Sequence, residues 1–254
     1  MIRYKTEAEI EKIRRAGEVV CRVFSFCSEF VRPGVTTLDI DRRVESLIEG
    51  CGARCALKGL YGFPASICAS VNEEALHGVP RDRVLLNGDL VTVDVGVSWD
   101  GYHADAARTF AVGDVSGAAR ALLEATAESL DRGIEQCRPG RRLSDIACGI
   151  ETVAKRRGFR IVEGYGGHGI GISLHEEPSV PNSLSRALLG RDLVLKPGLV
   201  LAIEPVLQDG DGGLETLADG WTVVTRGARL AAHFEDTVAI TERGPVVLTR
   251  PAAA

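Results

Sequence analysis

The sequence predicts an α+β fold made of two copies of one unit, each copy a pair of helices followed by strands of a largely antiparallel sheet. Two observations carry that expectation. RPGVTTLDIDRRVE at 32–45 aligns with RPGRRLSDIACGIE at 138–151, with Arg, Pro, Gly, Asp, Ile and Glu recurring at an offset of 106 and a glycine recurring at 52 and 158. Two chance helix stops would share the Pro-Gly break but not the Asp-Ile and Glu beyond it. Each copy also has the same setting, with a long helical stretch before it and an amphipathic one after it.

The elements follow in order. Residues 7–31 and 116–137 read as long helices ended by the Pro-Gly breaks, and about 38–50 and 143–157 as the second helices. Strands are expected at ICASVN, LVTVDVGV and ARTFAV in the first half, and at RIVEGYG, LVLAIEPVLQ, WTVVT and FEDTVAIT in the second. The copies, approximately 7–110 and 116–245, make one domain over 1–254, and the seam between them is the natural cleft.

Composition excludes several function classes. At 254 residues and 45% hydrophobic content the chain can bury a sizeable core. A net charge of -5 with mixed signs leaves no electrostatic footprint for nucleic acid or an anionic membrane, so small or peptide-like partners are expected. No run reaches the roughly 18 to 20 apolar residues of a membrane span. The N-terminal MIRYKTEAEIEKIRRAG is charged and helix-patterned, unlike a secretion signal, which places the protein in the cytoplasm. Seven cysteines without a regular framework fit reduced thiols there, and Cys51 and Cys55 alone make no zinc knuckle.

The chemistry begins in VTVDVGVSWDGYHADAARTF. Valines at 91, 93, 95 and 97 put one strand face in the core and Asp94 on the other. Asp100-Gly101 signals a two-residue hairpin, which sets Asp105 opposite Gly96 and makes Asp94 its diagonal neighbour. Two such carboxylates repel unless a cation lies between them; the alternative is a pair of solvated surface aspartates.

In GYGGHGIGISLHEEP, residues 164–178, His168 and His175 stand seven apart among glycines that make a helix costly, at about 1 kcal/mol each. A regular strand would send them to opposite faces, one to ligate and one to face a substrate. GLVLAIEPV and HFEDTVAIT each set a lone acid, Glu204 and Glu235, in an apolar strand, where burial without a cation is expensive. Asp94, Asp105, His168, Glu204 and Glu235 together carry four negative charges, balancing two divalent ions. That oxygen-rich shell suits Mn, Fe(II), Co or Mg, and two such ions about 3.5 to 4 Å apart can hold a bridging hydroxide and polarise a carbonyl.

The order of these motifs (Asp, Asp eleven residues on, GHGIG, HEEP, IEP, FED), with NEEALHGVP at 72–80 and the N-terminal KTEAEIEKIRRAG, resembles the type I methionine aminopeptidases over nearly the whole chain. The resemblance implies the pita-bread fold, a curved antiparallel sheet covered by helices on one side. It implies a metal-dependent hydrolase that removes the initiator methionine from nascent proteins or peptides with a small second residue, by attack of a metal-bridging water or hydroxide. It implies two divalent ions: Co, Mn or Fe(II), with Zn and Ni as further candidates. Asp105, His168, Glu204 and Glu235 would hold the tighter ion and Asp94 the second, with Asp105 and Glu235 bridging. Glu204 would shuttle protons, His175 would hydrogen-bond the scissile amide and His77 the tetrahedral intermediate. Phe63, Cys68, His77, His175 and Trp221 would bind substrate. Its partners would be nascent chains at the ribosome, met by the catalytic domain itself, and the protein would be a monomer.

Leu57, Leu60 and Leu174 depart from the family pattern, where Cys, Tyr and Phe are common, and bear on the shape of the pocket. Two rival readings are a prolidase or X-Pro aminopeptidase, which usually carries an additional N-terminal domain, and a non-catalytic binding module, which would be expected to have lost some of the five ligands.

Overall fold

The computed structural model describes residues 1–190 and 192–251. Helix α1 (Glu7–Phe30) opens on Thr6, whose hydroxyl accepts the Glu9 N–H while the Glu9 carboxylate accepts that of Thr6. This reciprocal pair satisfies two donors that a helix start leaves orphaned. Helix α2 (Thr37–Gly50) opens the same way on Thr36 and Asp39. Helix α3 (Gly117–Glu135) is capped by the Ser116 hydroxyl, and α4 (Leu143–Arg157) by Asp145, which accepts the Arg142 N–H.

The repeated residues turn out to be those that stop one helix and start the next. Gly34 and Gly140 take φ of 92° and 85° in the turns after α1 and α3, where a side chain would be strained. Asp39 and Asp145 cap the helices that follow, and Ile40 and Ile146, both 0% exposed, anchor them in the core.

Strands Leu90–Trp99 and Tyr102–Ala111 form a hairpin over Asp100 and Gly101, both at positive φ as the tight turn demands. The register pairs Gly96 with Asp105 and Asp94 with Ala107, as the two-residue loop predicts. Strand Cys68–Val71 flanks the hairpin, setting Cys68 beside Asp94. In the second half a sheet runs Gly244–Val247, Asp236–Thr241, Val200–Ile203, Gly166–Gly169 and Glu176–Pro181. Its pairs are antiparallel, as are those of the first sheet. Val91, Val93, Val95 and Val97, all 0% exposed, pack in the core of the first half, where α1 lies against the hairpin. Leu201 and Ile203 pack with Ile146 and Ile150 of α4 in a second core. Helices thus back the sheets and leave the opposite faces for a site.

Three strand expectations are corrected. RIVEGYG yields only Arg160–Ile161, and the next strand waits until Gly166, past Gly164 at φ 87°. LVLAIEPVLQ breaks at Glu204-Pro205 into Val200–Ile203 and Val206–Gln208, because proline has no N–H for the ladder. FEDTVAIT pairs only from Asp236, so Glu235 occupies a gap after Ala231–His233. Both lone acids therefore sit at strand breaks, not within strands.

Candidate metal centre and active site

Two adjacent rows across the sheets build the site. In the first, His168 pairs with Ala202 and Ala202 with Thr237. The Thr237 hydroxyl accepts the Asp105 N–H at 2.9 Å and donates to the Asp105 carbonyl at 2.8 Å. In the second, Glu204 stands two residues beyond Ala202 and Glu235 two before Thr237. Glu235 donates its N–H to the Ala107 carbonyl at 2.9 Å, and Ala107 is the partner of Asp94. Although both acids sit at strand breaks, their carboxylates still turn to the side of His168 and Asp105. Residues distant in sequence thereby meet on one surface.

The donor atoms converge. His168 Nε2 lies 3.6 Å from Glu204 Oε1 and 3.9 Å from Asp105 Oδ2. Asp94, Asp105 and Glu235 each bring an oxygen within 4.8 Å of the others, as do His168, Glu204 and Glu235 with one ligand atom apiece. Asp105 Oδ1 and Glu235 Oε1 are buried without a hydrogen-bond partner. Among the described residues no lysine or arginine pairs with any of the four acids.

Burial without a counter-charge shows in the protonation equilibria. Burial pushes the Asp105 carboxyl up to about 7. Burial, and then the charge of Asp105, hold Asp94 well above the usual carboxylate range. Glu204 and Glu235 are raised for the same two reasons, burial first. His168 is driven down to about 4 by burial and the neighbouring His175, so its imidazole is neutral and free to ligate. Orphaned carboxylate oxygens around a neutral imidazole fit an oxygen-preferring divalent cation.

His175 does not point away from His168. The chain folds back between them, pairing Gly169 with Glu176, and the two rings meet edge to face at 4.4 Å. The expectation of opposite faces assumed one unbroken strand, whereas 170–175 is a loop. Gly167 permits the tight approach of the Val200–Ile203 strand, since a Cβ there would fall 2.1 Å from the Ala202 carbonyl oxygen. Glu176 is held by Lys5 at 2.8 Å.

Sequence reasoning missed His233. Its side chain is 2% exposed, and Nε2 has no partner and stands 4.0 Å from Glu204 Oε2 and 3.9 Å from Glu235 Oε2. The signal was its position two residues before Glu235, on the same face.

Two cavities open on this centre. The smaller, about 240 Å³, is walled by Leu57, Leu60, Phe63, Cys68, Leu76 and Trp221 and floored by the acids. Phe63 and Trp221 meet edge to face at 5.2 Å. Leu174 is not part of this wall; it is buried over Gly96, where its Cδ1 lies 3.1 Å from the place a Cβ would occupy. The larger cavity, about 810 Å³, is a polar cleft along 161–185. His77, His168, His175 and Glu204 border both. His77 sits there at φ 54°, a conformation few side chains adopt, with its imidazole kept neutral by burial.

The model of metallopeptidase family M24 matches residues 11–242. The chain belongs to metallopeptidase family M24. It is 47% identical over 249 residues to a methionine aminopeptidase of Clostridium perfringens, covering 98% of this chain and 99% of that one. The methionine aminopeptidase structure from Thermotoga maritima superimposes with a TM-score of 0.95 at 38% identity, covering 99% and 100% of the two chains. A prolidase from Pyrococcus furiosus gives a TM-score of 0.78 at 26% identity, and the match spans 66% of that longer chain. The M24 chain therefore has the pita-bread fold and is a hydrolase. No helix among its described residues is long and apolar enough to cross a membrane.

Proposed function

We propose that this M24 chain is a single catalytic unit that releases N-terminal methionine from peptides and nascent proteins whose second residue is small. One observation carries the reading: an apolar cavity of about 240 Å³ shares its floor with the unpaired carboxylates and its border with His77, His175 and Glu204. That volume accommodates one medium apolar side chain. The methionine aminopeptidase reading is favoured over the X-Pro one by the closer likeness, 38% identity and a TM-score of 0.95 against 26% and 0.78 for the prolidase.

Asp105, His168, Glu204 and Glu235, with Asp94 on the far side, would hold one or two divalent ions, with Co, Mn and Fe(II) the leading candidates. Such ions would supply Lewis acidity toward the scissile carbonyl and toward water. The side chains do the rest. Glu204, raised by burial but 13% exposed at the cavity, can take a proton from water and return it to the leaving amine. His175 and His77, both neutral, can donate N–H groups to the scissile amide and to the oxyanion. Phe63, Cys68 and Trp221, with Leu57 and Leu60, offer an apolar, partly aromatic wall to a thioether. The free α-amine, as a cation or donor, is drawn to the acids. Nascent chains would be met at the ribosome in the cytoplasm, by the chain acting as a monomer.

The test is hydrolysis of Met-Ala-Ser, Met-Leu-Ser, Leu-Ala-Ser and Ala-Pro-Ser by protein stripped with EDTA and reloaded with Mn, Fe(II) or Co, read by mass spectrometry. Metal-dependent release of methionine from Met-Ala-Ser alone is expected. Cleavage of Ala-Pro-Ser instead moves the protein to the X-Pro branch, and no cleavage with any metal makes it a binding module.

A further inference from the structure

We propose that Tyr61 sets the size limit on the substrate's second residue, an inference that rests on the methionine-releasing function above. The backbone supplies the first argument. Tyr61 holds φ 51° and ψ 16° in a short turn, Leu60–Gly62, between Gly59 at φ 83° and Gly62 at φ 90°. A bulky side chain is strained in that left-handed region, which glycine occupies freely. Burial does not offset the strain, because Tyr61 is 76% exposed. A strained, exposed aromatic at the rim of a site points to use there rather than to folding.

The ring's position supplies the second argument. Tyr61 lies parallel to His175, at 5.9 Å between ring centres and 4° between planes, while His168 meets His175 edge to face at 4.4 Å. His175 is thus flanked by both rings. It borders both cavities, whereas Tyr61 borders only the small one. The inner wall of that cavity is already supplied by Phe63, 5% exposed, and by Trp221 against it. Tyr61 stands instead at the exposed rim of the small cavity, stacked on His175, the residue that the cavity shares with the cleft.

A peptide with its first side chain in the small cavity and its remainder in the cleft must carry its scissile amide past His175. Its second side chain then leaves the backbone beside the Tyr61 ring. A hydrogen, methyl or hydroxymethyl group passes; a branched or longer group meets the ring face. Tyr61 is therefore a specificity-determining residue, acting by exclusion and not by proton transfer.

The test compares kcat/KM for Met-Ala-Ser, Met-Leu-Ser and Leu-Ala-Ser in the metal-loaded wild type, Tyr61→Gly, Tyr61→Ala and Tyr61→Phe. Both ring-less variants are expected to narrow the preference for alanine over leucine at the second position by about tenfold or more. They should keep the preference for methionine over leucine at the first, and Tyr61→Phe should keep both. Tyr61→Gly should melt no lower than wild type, since it relieves the left-handed strain. An unchanged second-position ratio in the two ring-less variants overturns the proposal, as does a change confined to the first position, which would make Tyr61 part of the methionine wall. A wild type that releases no methionine from Met-Ala-Ser would overturn the underlying function and be recognised as such.

Discussion

Arg108 holds the buried carboxylate of Asp236 at 2.6 Å, while among the described residues no lysine or arginine pairs with Glu235, one residue earlier. Arg250 binds the other Asp236 oxygen at 2.7 Å, and the Thr249 hydroxyl donates to the same oxygen as Arg108. Arg108 also donates to the Glu235 backbone carbonyl, fixing that residue's main chain. The fold can therefore neutralise a buried acid where neutrality serves packing. Beside it, four acids are left bare.

Arg108→Met would leave Asp236 with Arg250 and the Thr249 hydroxyl. Since Arg250 and Thr249 still hold the carboxylate, the loss is that of one charge-assisted hydrogen bond, about 1.5–3 kcal/mol. A loss of about 2 kcal/mol in unfolding free energy, read as a lower urea midpoint, is expected for the metal-free protein, partly recovered by Arg108→Lys. An unchanged midpoint would mean that Asp236 is solvated.

The cation sites should separate by mutation. Asp94 belongs only to the cluster with Asp105 and Glu235, whereas Glu235 also belongs to the one with His168 and Glu204. Asp94→Asn should weaken one class of divalent-ion binding and spare the other; Glu235→Gln should weaken both. Each loss should exceed the roughly 10- to 100-fold typical of residues that merely support ligands. Calorimetry on EDTA-stripped protein with Mn(II) or Co(II) reads this directly, and equal effects of the two variants would contradict the assignment.

Stability of the metal-free protein should fall as pH rises above the histidine range. Folding raises Asp105 from 3.8 to about 7 and lifts Asp94, Glu204 and Glu235 well above their ordinary values. The folded state then retains protons that the unfolded chain has shed, so these groups lose stability as pH climbs through that window. His77, His168, His175 and His233 are lowered from 6.5, which gains stability with rising pH but only up to 6.5. Beyond it the carboxyls act alone. The melting temperature in EDTA should decline from about pH 6.5 through the Asp105 value of about 7 and onward as Asp94, Glu204 and Glu235 lose their protons, and saturating Mn(II), by displacing the protons, should abolish the decline. A flat profile in EDTA would show that the acids are already paired.

How much of this was legible in the sequence depends on what fixes each feature. The Asp94–Asp105 relationship was readable because a two-residue loop leaves only one register. Glu204 and Glu235 stood out as acids in apolar runs, but their location at strand breaks followed from Pro205 and from the shift of pairing at Asp236. The meeting of His168 and His175 was misread because a period of two holds only along an unbroken strand. His233 was visible by spacing and overlooked among ordinary histidines. Tyr61 gave no signal, since its left-handed backbone depends on packing that residue type does not reveal.

The aromatic wall offers a last test. Trp221 meets Phe63 edge to face at 5.2 Å, and its loop is braced by Asp219, which accepts the Trp221 and Thr222 N–H groups. Phe63 is nearly buried while Trp221 is half-buried, so Phe63 carries packing that Trp221 does not. Removing Phe63 should therefore cost stability as well as substrate affinity, about 3–5 kcal/mol for a buried phenylalanine cut to alanine. Trp221→Ala should leave the melting temperature nearly unchanged and act on the substrate alone. Loss of one wall of an apolar pocket is worth about 1–3 kcal/mol, a 10- to 200-fold fall in kcat/KM for Met-Ala-Ser. The same fall for Leu-Ala-Ser would mean that Trp221 supports binding in general; a smaller one would tie it to the thioether.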